Sequence, residues 1–416
     1  MSTTQTDDIV IVGASLAGAT AAKTLREEGF GGSIHLFGAE AHCPYLRPPL
    51  SKGYLAGDDD RASLDVESAS WYRDNDVDVR LRTRIVAVDP GAASVTTDSG
   101  EVFGYDAVLL ATGSAPRRLT VPGADFRGVH YLRTLDESER LRKALAQGDR
   151  RVVLVGSGWI GMEVAATART LGNEVTILER DPIPLAVALG DELGTYFADL
   201  HTRNGVRIRP SVVVDSIVGE NGRVAGVRLA GGDVVPADVV VVGIGAVPQI
   251  DLARAAGLEI DNGVVVDASL QTGDSRVFAA GDIANAYHPI AQQRLRSEHW
   301  ANAISGGAVA ARSMLGERAV HDEIPYFYTD QFDLGMEYAG FAPLTKEADI
   351  VYRGDRSSGE FVAFWMLGSR VVAGMNVNVW DVNDDIQALV RSGTPVDLAA
   401  LRDPSVPLAD VAKLAS

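Results

Sequence analysis

Apolar and polar positions divide the chain into short strand-like runs alternating with amphipathic stretches. Residues 9–13, IVIVG, form an apolar run of the length of a buried strand. A glycine-containing turn follows, and Ala19, Ala22 and Leu25 then recur at helical spacing. A second apolar run, IHLFG, ends at Gly38. Strand, glycine turn, helix and strand make one βαβ unit. The pattern returns over residues 151–180, RVVLVGSGWIGMEVAATARTLGNEVTILER. The chain is therefore expected to be α/β, with two such units.

The connecting segments suggest how the units are joined. YDAVLLATGSAPRRLTVPG (105–123) is a strand running into Ala111, Thr112 and Gly113, then a proline-containing connector. VPADVVVVGIGAVPQ (235–249) repeats that design with Gly243, Gly245 and Pro248. Each reads as a crossing between domains, so the second unit is expected to be inserted in the first. Residues 264–284 then resume the first unit, their last strand, VFAAG, ending at Gly281 with Asp282 opening a helix or loop.

The turns carry the candidate chemistry. The first reads Gly13-Ala14-Ser15-Leu16-Ala17-Gly18, the second Gly156-Ser157-Gly158-Trp159-Ile160-Gly161. Outer glycines allow the tight turn and close helix–strand packing. The helix N-terminus offers free N–H groups and a positive dipole to a pyrophosphate. The middle glycine lets the backbone approach that pyrophosphate. Ser15 in its place adds only a small side chain, whose hydroxyl can bond a phosphate oxygen. An acid follows each second strand, Glu40 in the first unit and Glu179 in the second, placed to hold an adenosine ribose. Glu179 repels a 2′-phosphate and so favours NADH over NADPH, a preference that Arg180 opposes.

Composition narrows the picture. A chain of 416 residues is too long for one core. The net charge of −18 argues against nucleic acid and anionic membranes as partners. Arginines gather at 117–151 and 294–318, where they are expected to be solvated surface. The longest apolar run, near 237–247, is too short to cross a bilayer. The start, MSTTQTDD, lacks a signal-peptide pattern, and the single cysteine, Cys43, excludes a CxxC pair. A cytoplasmic protein is expected. The seven histidines show no metal-ligand spacing, so no metal is expected.

These landmarks together resemble the two-dinucleotide-binding-domain flavoproteins over nearly the whole chain. Within that group, Tyr45-Leu46-Arg47-Pro48-Pro49-Leu50-Ser51-Lys52 looks like the RPPLSK motif of the NADH:ferredoxin reductases that serve bacterial oxygenases. Arg296-Ser297-Glu298-His299-Trp300-Ala301-Asn302-Ala303 is similar to that family's R-x-E-x-W-x-N-A. Pro325-Tyr326-Phe327-Tyr328-Thr329-Asp330-Gln331 is similar to its PxFWSDQ signature, which opens a C-terminal domain. The resemblance implies two Rossmann-like dinucleotide-binding domains, the second inserted in the first, plus an α+β C-terminal domain. The expected bounds are 1–113 with 246–322 for FAD, 114–245 for NAD and 323–416 for the last domain. It further implies hydride transfer from NADH to FAD and release of single electrons to a small iron–sulfur ferredoxin that serves an oxygenase.

Site residues follow from the same resemblance. FAD is expected against Gly13, Ser15, Leu16, Ala17, Gly18, Glu40, Arg47, Ala111, Thr112, Gly113 and Gly281. Lys52 is expected close to the flavin ring, with Asp282 on the ribityl chain or a phosphate. NADH is expected against Gly156, Gly158, Ile160, Gly161, Glu179 and Gly245, with Glu163 meeting the nicotinamide carboxamide and Trp300 near both rings. Lys52, Glu163 and Trp300 are the expected catalytic residues. Glu298 either pairs with Lys52 or stays solvated. His299 is expected to be structural or exposed. Trp380 either packs near the flavin or fills the core of the last domain. Ala39 stands where many relatives carry an acid. A disulfide reductase is excluded by the lone cysteine. An NADH oxidase or peroxidase, and a flavoprotein like apoptosis-inducing factor, are the alternatives. A peroxidase would use a cysteine where this chain has Lys52, and Cys43 is expected to be a passive thiol.

Overall fold

The structure, a computed structural model, describes residues 6–412. Strand β1 (Asp8–Val12) leads through the first glycine turn into helix α1 (Leu16–Glu27). Ile9 to Val12 are all buried, as a strand covered on both faces requires. β1 lies at the centre of a five-stranded parallel sheet. Ser33–Phe37 and Val77–Arg80 extend it on one side, Ala107–Leu110 and Val277–Ala279 on the other.

The second unit repeats this plan. Strand β2 (Arg151–Val155) leads through the second glycine turn into helix α2 (Trp159–Thr170). β2 is likewise central in a parallel sheet, between Glu174–Leu178 and Val239–Val242, with Arg207–Arg209 and Val129–His130 at the edges. Helix α3 (Asp191–Arg203) packs its Leu193, Phe197 and Leu200 into the same core. The last strand of the first sheet thus comes from beyond the whole second sheet. The chain passes between the two by Ser114–Pro116 and Ala246–Pro248, which pair antiparallel.

Helix α4 (Trp300–Met314) returns across the first sheet and lies directly on α1. A Cβ on Gly307 would come within 2.5 Å of the Ala17 carbonyl oxygen, so the two backbones touch. Strand β3 (Tyr326–Gln331) then opens a five-stranded antiparallel sheet. One face of this sheet packs on the C-terminal helices through Phe364, Ile386 and Leu401. Its other face, with Met336, Tyr338, Phe361 and Trp365, shares a core with Phe197 and Met162 of the second unit. Among the described residues, no helix is long and apolar enough to cross a membrane.

Candidate functional site

The glycine turns separate two duties. Gly13 has φ +125, and a Cβ there would lie 2.2 Å from the Ala111 carbonyl oxygen. A Cβ on Gly18 would lie 2.1 Å from the Gly13 carbonyl oxygen. Gly156, at φ +97, and Gly161 face the same conflict, at 2.4 Å from Gly243 O and 2.5 Å from Gly156 O. The outer glycines are therefore demanded by the fold itself. The middle positions are not. A Cβ on Gly158 would meet nothing within 4 Å, and Ser15 is extended, with φ −123. Open space in front of a helix N-terminus is where an anion can sit. Neither Ser15 nor Gly158 caps its helix with a side chain, whereas Thr134 and Glu137 form a full capping box elsewhere in the chain. The leading N–H groups of α1 and α2 are left for a ligand. Both cradles fit a dinucleotide pyrophosphate.

Around the first cradle, Arg47 is the organiser. Its guanidinium donates to Ser15 Oγ at 3.3 Å, to Glu40 Oε1 at 2.7 Å and to the Arg133 carbonyl at 2.5 Å. Tyr45 donates its hydroxyl to the other oxygen of Glu40, so this acid is fixed at the strand end. Asp282 is buried on a short turn, Gly281–Ile283, with Arg133 donating to its Oδ2 at 2.8 Å. Gly281, at φ +74, brings this turn against Ala17. Thr112 exchanges hydrogen bonds with Gln249 across the antiparallel crossing, and Gly113 faces the Arg133 guanidinium. The residues expected around FAD from the first turn, Glu40, Arg47, Thr112, Gly113 and Asp282 therefore converge.

Arg133 was not singled out from the sequence. It falls in one of the arginine clusters expected to be solvated surface, and for it and Arg296 that expectation is corrected. Both reach the Asp282 turn, Arg133 through the carboxylate and Arg296 through the backbone carbonyl at 3.1 Å. No local pattern marks Arg133. Only the packing of its segment against Asp282 gives it a role.

In the second cradle, Glu179 accepts from Ser157 twice, from N–H at 2.8 Å and from Oγ at 2.6 Å, and from the Asp181 N–H at 2.9 Å. Arg180 points to solvent, its side chain 80% exposed. The acid is held at the strand end and the neighbouring cation is turned away. Ile160 is exposed beside this turn, and Gly245 has φ +99 with open space before it.

Lys52 and Glu163 join the two units. The Lys52 ammonium lies 2.8 Å from Glu163 Oε2. Ser51 donates to the same oxygen at 2.5 Å, and Thr329 to Oε1 at 2.7 Å. Glu163 is only 3% exposed. Its carboxylate is thus engaged by three side chains from two parts of the fold, the adjacent Ser51 and Lys52 and, from β3, Thr329. Lys52 also stands 5.4 Å from the Tyr328 ring. Glu298 does not take the Lys52 pairing allowed for it, because Arg296 binds it at 2.6 Å.

Trp300 opens α4, partly exposed, in a cleft shared with Ser305, His321, Pro325 and Tyr326. His299 lies tilted against Phe327, with 4.5 Å between ring centres, and burial pushes its pKa down to about 4. Trp380 is 55% exposed over Gly335, which corrects the expectation that it could fill the last core. Cys43 is half-buried, and burial together with Asp65 raises its thiol pKa.

Two glycine cradles on two parallel sheets, linked by an antiparallel crossing, define a pyridine-nucleotide oxidoreductase of the two-fold flavoprotein type. The chain belongs to the pyridine nucleotide-disulphide oxidoreductase family, which matches residues 7–307, and residues 326–412 match the reductase C-terminal family. Rhodocoxin reductase from Rhodococcus erythropolis is 42% identical over 371 residues, 89% of this chain and 86% of that protein. The anthranilate 1,2-dioxygenase system ferredoxin–NAD(+) reductase component from Burkholderia cepacia is 38% identical, over 97% of this chain and 98% of that one. Putidaredoxin reductase, in its covalent complex with putidaredoxin, has the same fold, with a TM-score of 0.94 and 33% identity over 98% of this chain and 99% of that one.

Proposed function

We propose that this protein is an NADH-dependent ferredoxin reductase that carries electrons through FAD, one at a time, to an iron–sulfur ferredoxin serving an oxygenase. Residues 1–113 and 246–322 form the FAD domain, 114–245 the NAD domain and 323–416 the C-terminal domain. FAD is held by the first glycine turn, Glu40, Arg47 and Asp282, with Arg133 added to that set. NADH is held by the second turn, with Glu179 on the ribose. The protein works in the cytoplasm.

When bound, FAD supplies the conversion of a hydride into single electrons. The protein supplies orientation and charge. Arg47 and Arg133 bring positive charge to the pyrophosphate cradle. Lys52, fixed by Glu163, offers a cation to the negative charge of a reduced flavin ring. Trp300 lies at the edge of the nicotinamide path.

One observation carries this reading: a buried lysine–glutamate pair, not a thiol, stands where the two nucleotide units meet. Cys43 instead lies among Asp65, Arg61 and Tyr72, with its pKa raised, so little of it is the reactive thiolate. Cys43→Ser is expected to leave NADH-driven dye reduction unchanged. A collapse of turnover in that variant would favour the peroxidase-type alternative.

A further inference from the structure

Beyond the Lys52–Glu163 pair, a run of buried polar side chains continues into the molecule. Thr329 Oγ1 lies 2.7 Å from Glu163 Oε1, and Gln331 Nε2 lies 3.2 Å from Thr329 Oγ1. Gln331 Oε1 lies 2.8 Å from His201 Nε2. Thr329, Gln331 and His201 are all essentially inaccessible, at 0%, 1% and 0%. Thr329 and Gln331 sit two apart on β3 and so share one face of that strand. His201 comes from α3 of the second unit and meets the Phe332 ring edge to face.

The chemistry of these groups fixes the direction of every bond. A carboxylate only accepts, so the Thr329 hydroxyl must donate to Glu163. That hydroxyl then needs a donor of its own, and the Gln331 amide must present its NH2 group to it. The amide oxygen is left facing His201, which must therefore donate from Nε2. The imidazole is then the tautomer with a bare Nδ1, and that atom is the one without a partner among the described residues. A bare acceptor is the less costly group to leave unpaired, since under-satisfied acceptors are commoner in cores than orphaned N–H donors. All the donors point one way, from His201 through Gln331 and Thr329 to Glu163.

We infer that His201, Gln331 and Thr329 are positioning residues: they hold the Glu163 carboxylate, and through it Lys52, in the geometry the flavin requires. This inference rests on the placement of Lys52 beside the flavin made under the proposed function. It also gives the C-terminal sheet a part in the chemistry, because β3 supplies the two middle links.

The test uses the FAD-loaded full chain in five forms: wild type, K52M, T329V, H201F and H201Q. Flavin midpoint potential and the rate of flavin reduction by NADH are measured, with FAD content and melting temperature as folding controls. K52M is expected to lower the potential. T329V, which removes the charge-assisted hydrogen bond to Glu163, is expected to lower it in the same direction and to slow reduction about tenfold. H201F, which removes the neutral bond to Gln331, is expected to shift both the same way by less. H201Q, which keeps a donor toward Gln331, is expected to recover most of the wild-type potential. T329V is nearly isosteric and carries the test if H201F does not fold. A merely structural role would lower the melting temperature without moving the potential. If K52M moves the potential but T329V and H201F do not, this inference fails alone. If K52M also leaves it unmoved, the placement of Lys52 fails, and this inference with it.

Discussion

At Ser15 the backbone is extended, with φ −123 and ψ −166, a conformation open to any residue. Among the described residues, its hydroxyl receives only a 3.3 Å contact from Arg47. Nothing in the fold requires glycine here, in contrast to Gly13 at φ +125. The outer positions of the turn are therefore set by the protein, and the middle one is left free by it. Ser15→Gly is expected to retain FAD. Ser15→Leu is expected to lose it, because a branched side chain would fill the space before the helix N-terminus. The ratio of flavin to protein absorbance checks both, and full retention in the leucine variant would contradict the close approach. This distinction between outer and middle positions was legible in the sequence, because the motif's spacing encodes it. The role of Arg133 was not, since its partner Asp282 lies far along the chain and only the inserted unit brings them together.

Among elements, the two strand–turn–helix units announced themselves through apolar runs and glycine spacing. The crossings were legible too: Ala111-Thr112-Gly113 and Gly243 to Pro248 mark them, and the paired strands Ser114–Pro116 and Ala246–Pro248 follow directly. Strand β3 was harder to read. In YFYTDQ the threonine and glutamine look like an outward polar face, yet both are buried. They turn inward because each satisfies a buried partner, Glu163 for Thr329 and His201 for Gln331. Periodicity reports polarity, and it cannot tell a solvated polar residue from one that is buried and paired. The Glu163 pairing was missed for the same reason. The resemblance implied the nicotinamide for it, while its partners are Ser51, Lys52 and Thr329, on elements remote in sequence.

For the whole molecule, burial pushes three histidines, His201, His299 and His321, down to about 4 from an ordinary value near 6.5. Each is neutral in the folded state and takes up a proton more readily when unfolded. Their contribution to stability is therefore fully present above pH 6.5 and lost as the pH falls from 6.5 toward 4. The melting temperature is expected to be flat just above neutrality and to drop through that window, and His201→Gln is expected to shallow the drop. A melting temperature independent of pH between 6.5 and 4 would contradict the burial of these rings. The same scale decides the functional claim, because both nucleotide folds and the C-terminal sheet must act together to carry electrons outward. The most direct measurement is NADH-driven cytochrome c reduction with and without an added iron–sulfur ferredoxin, after stopped-flow reduction of the flavin by NADH. The account predicts fast flavin reduction and a rate of cytochrome c reduction that rises with ferredoxin concentration. Fast flavin reduction with no response to ferredoxin would contradict it and point to an oxidase or a sensor.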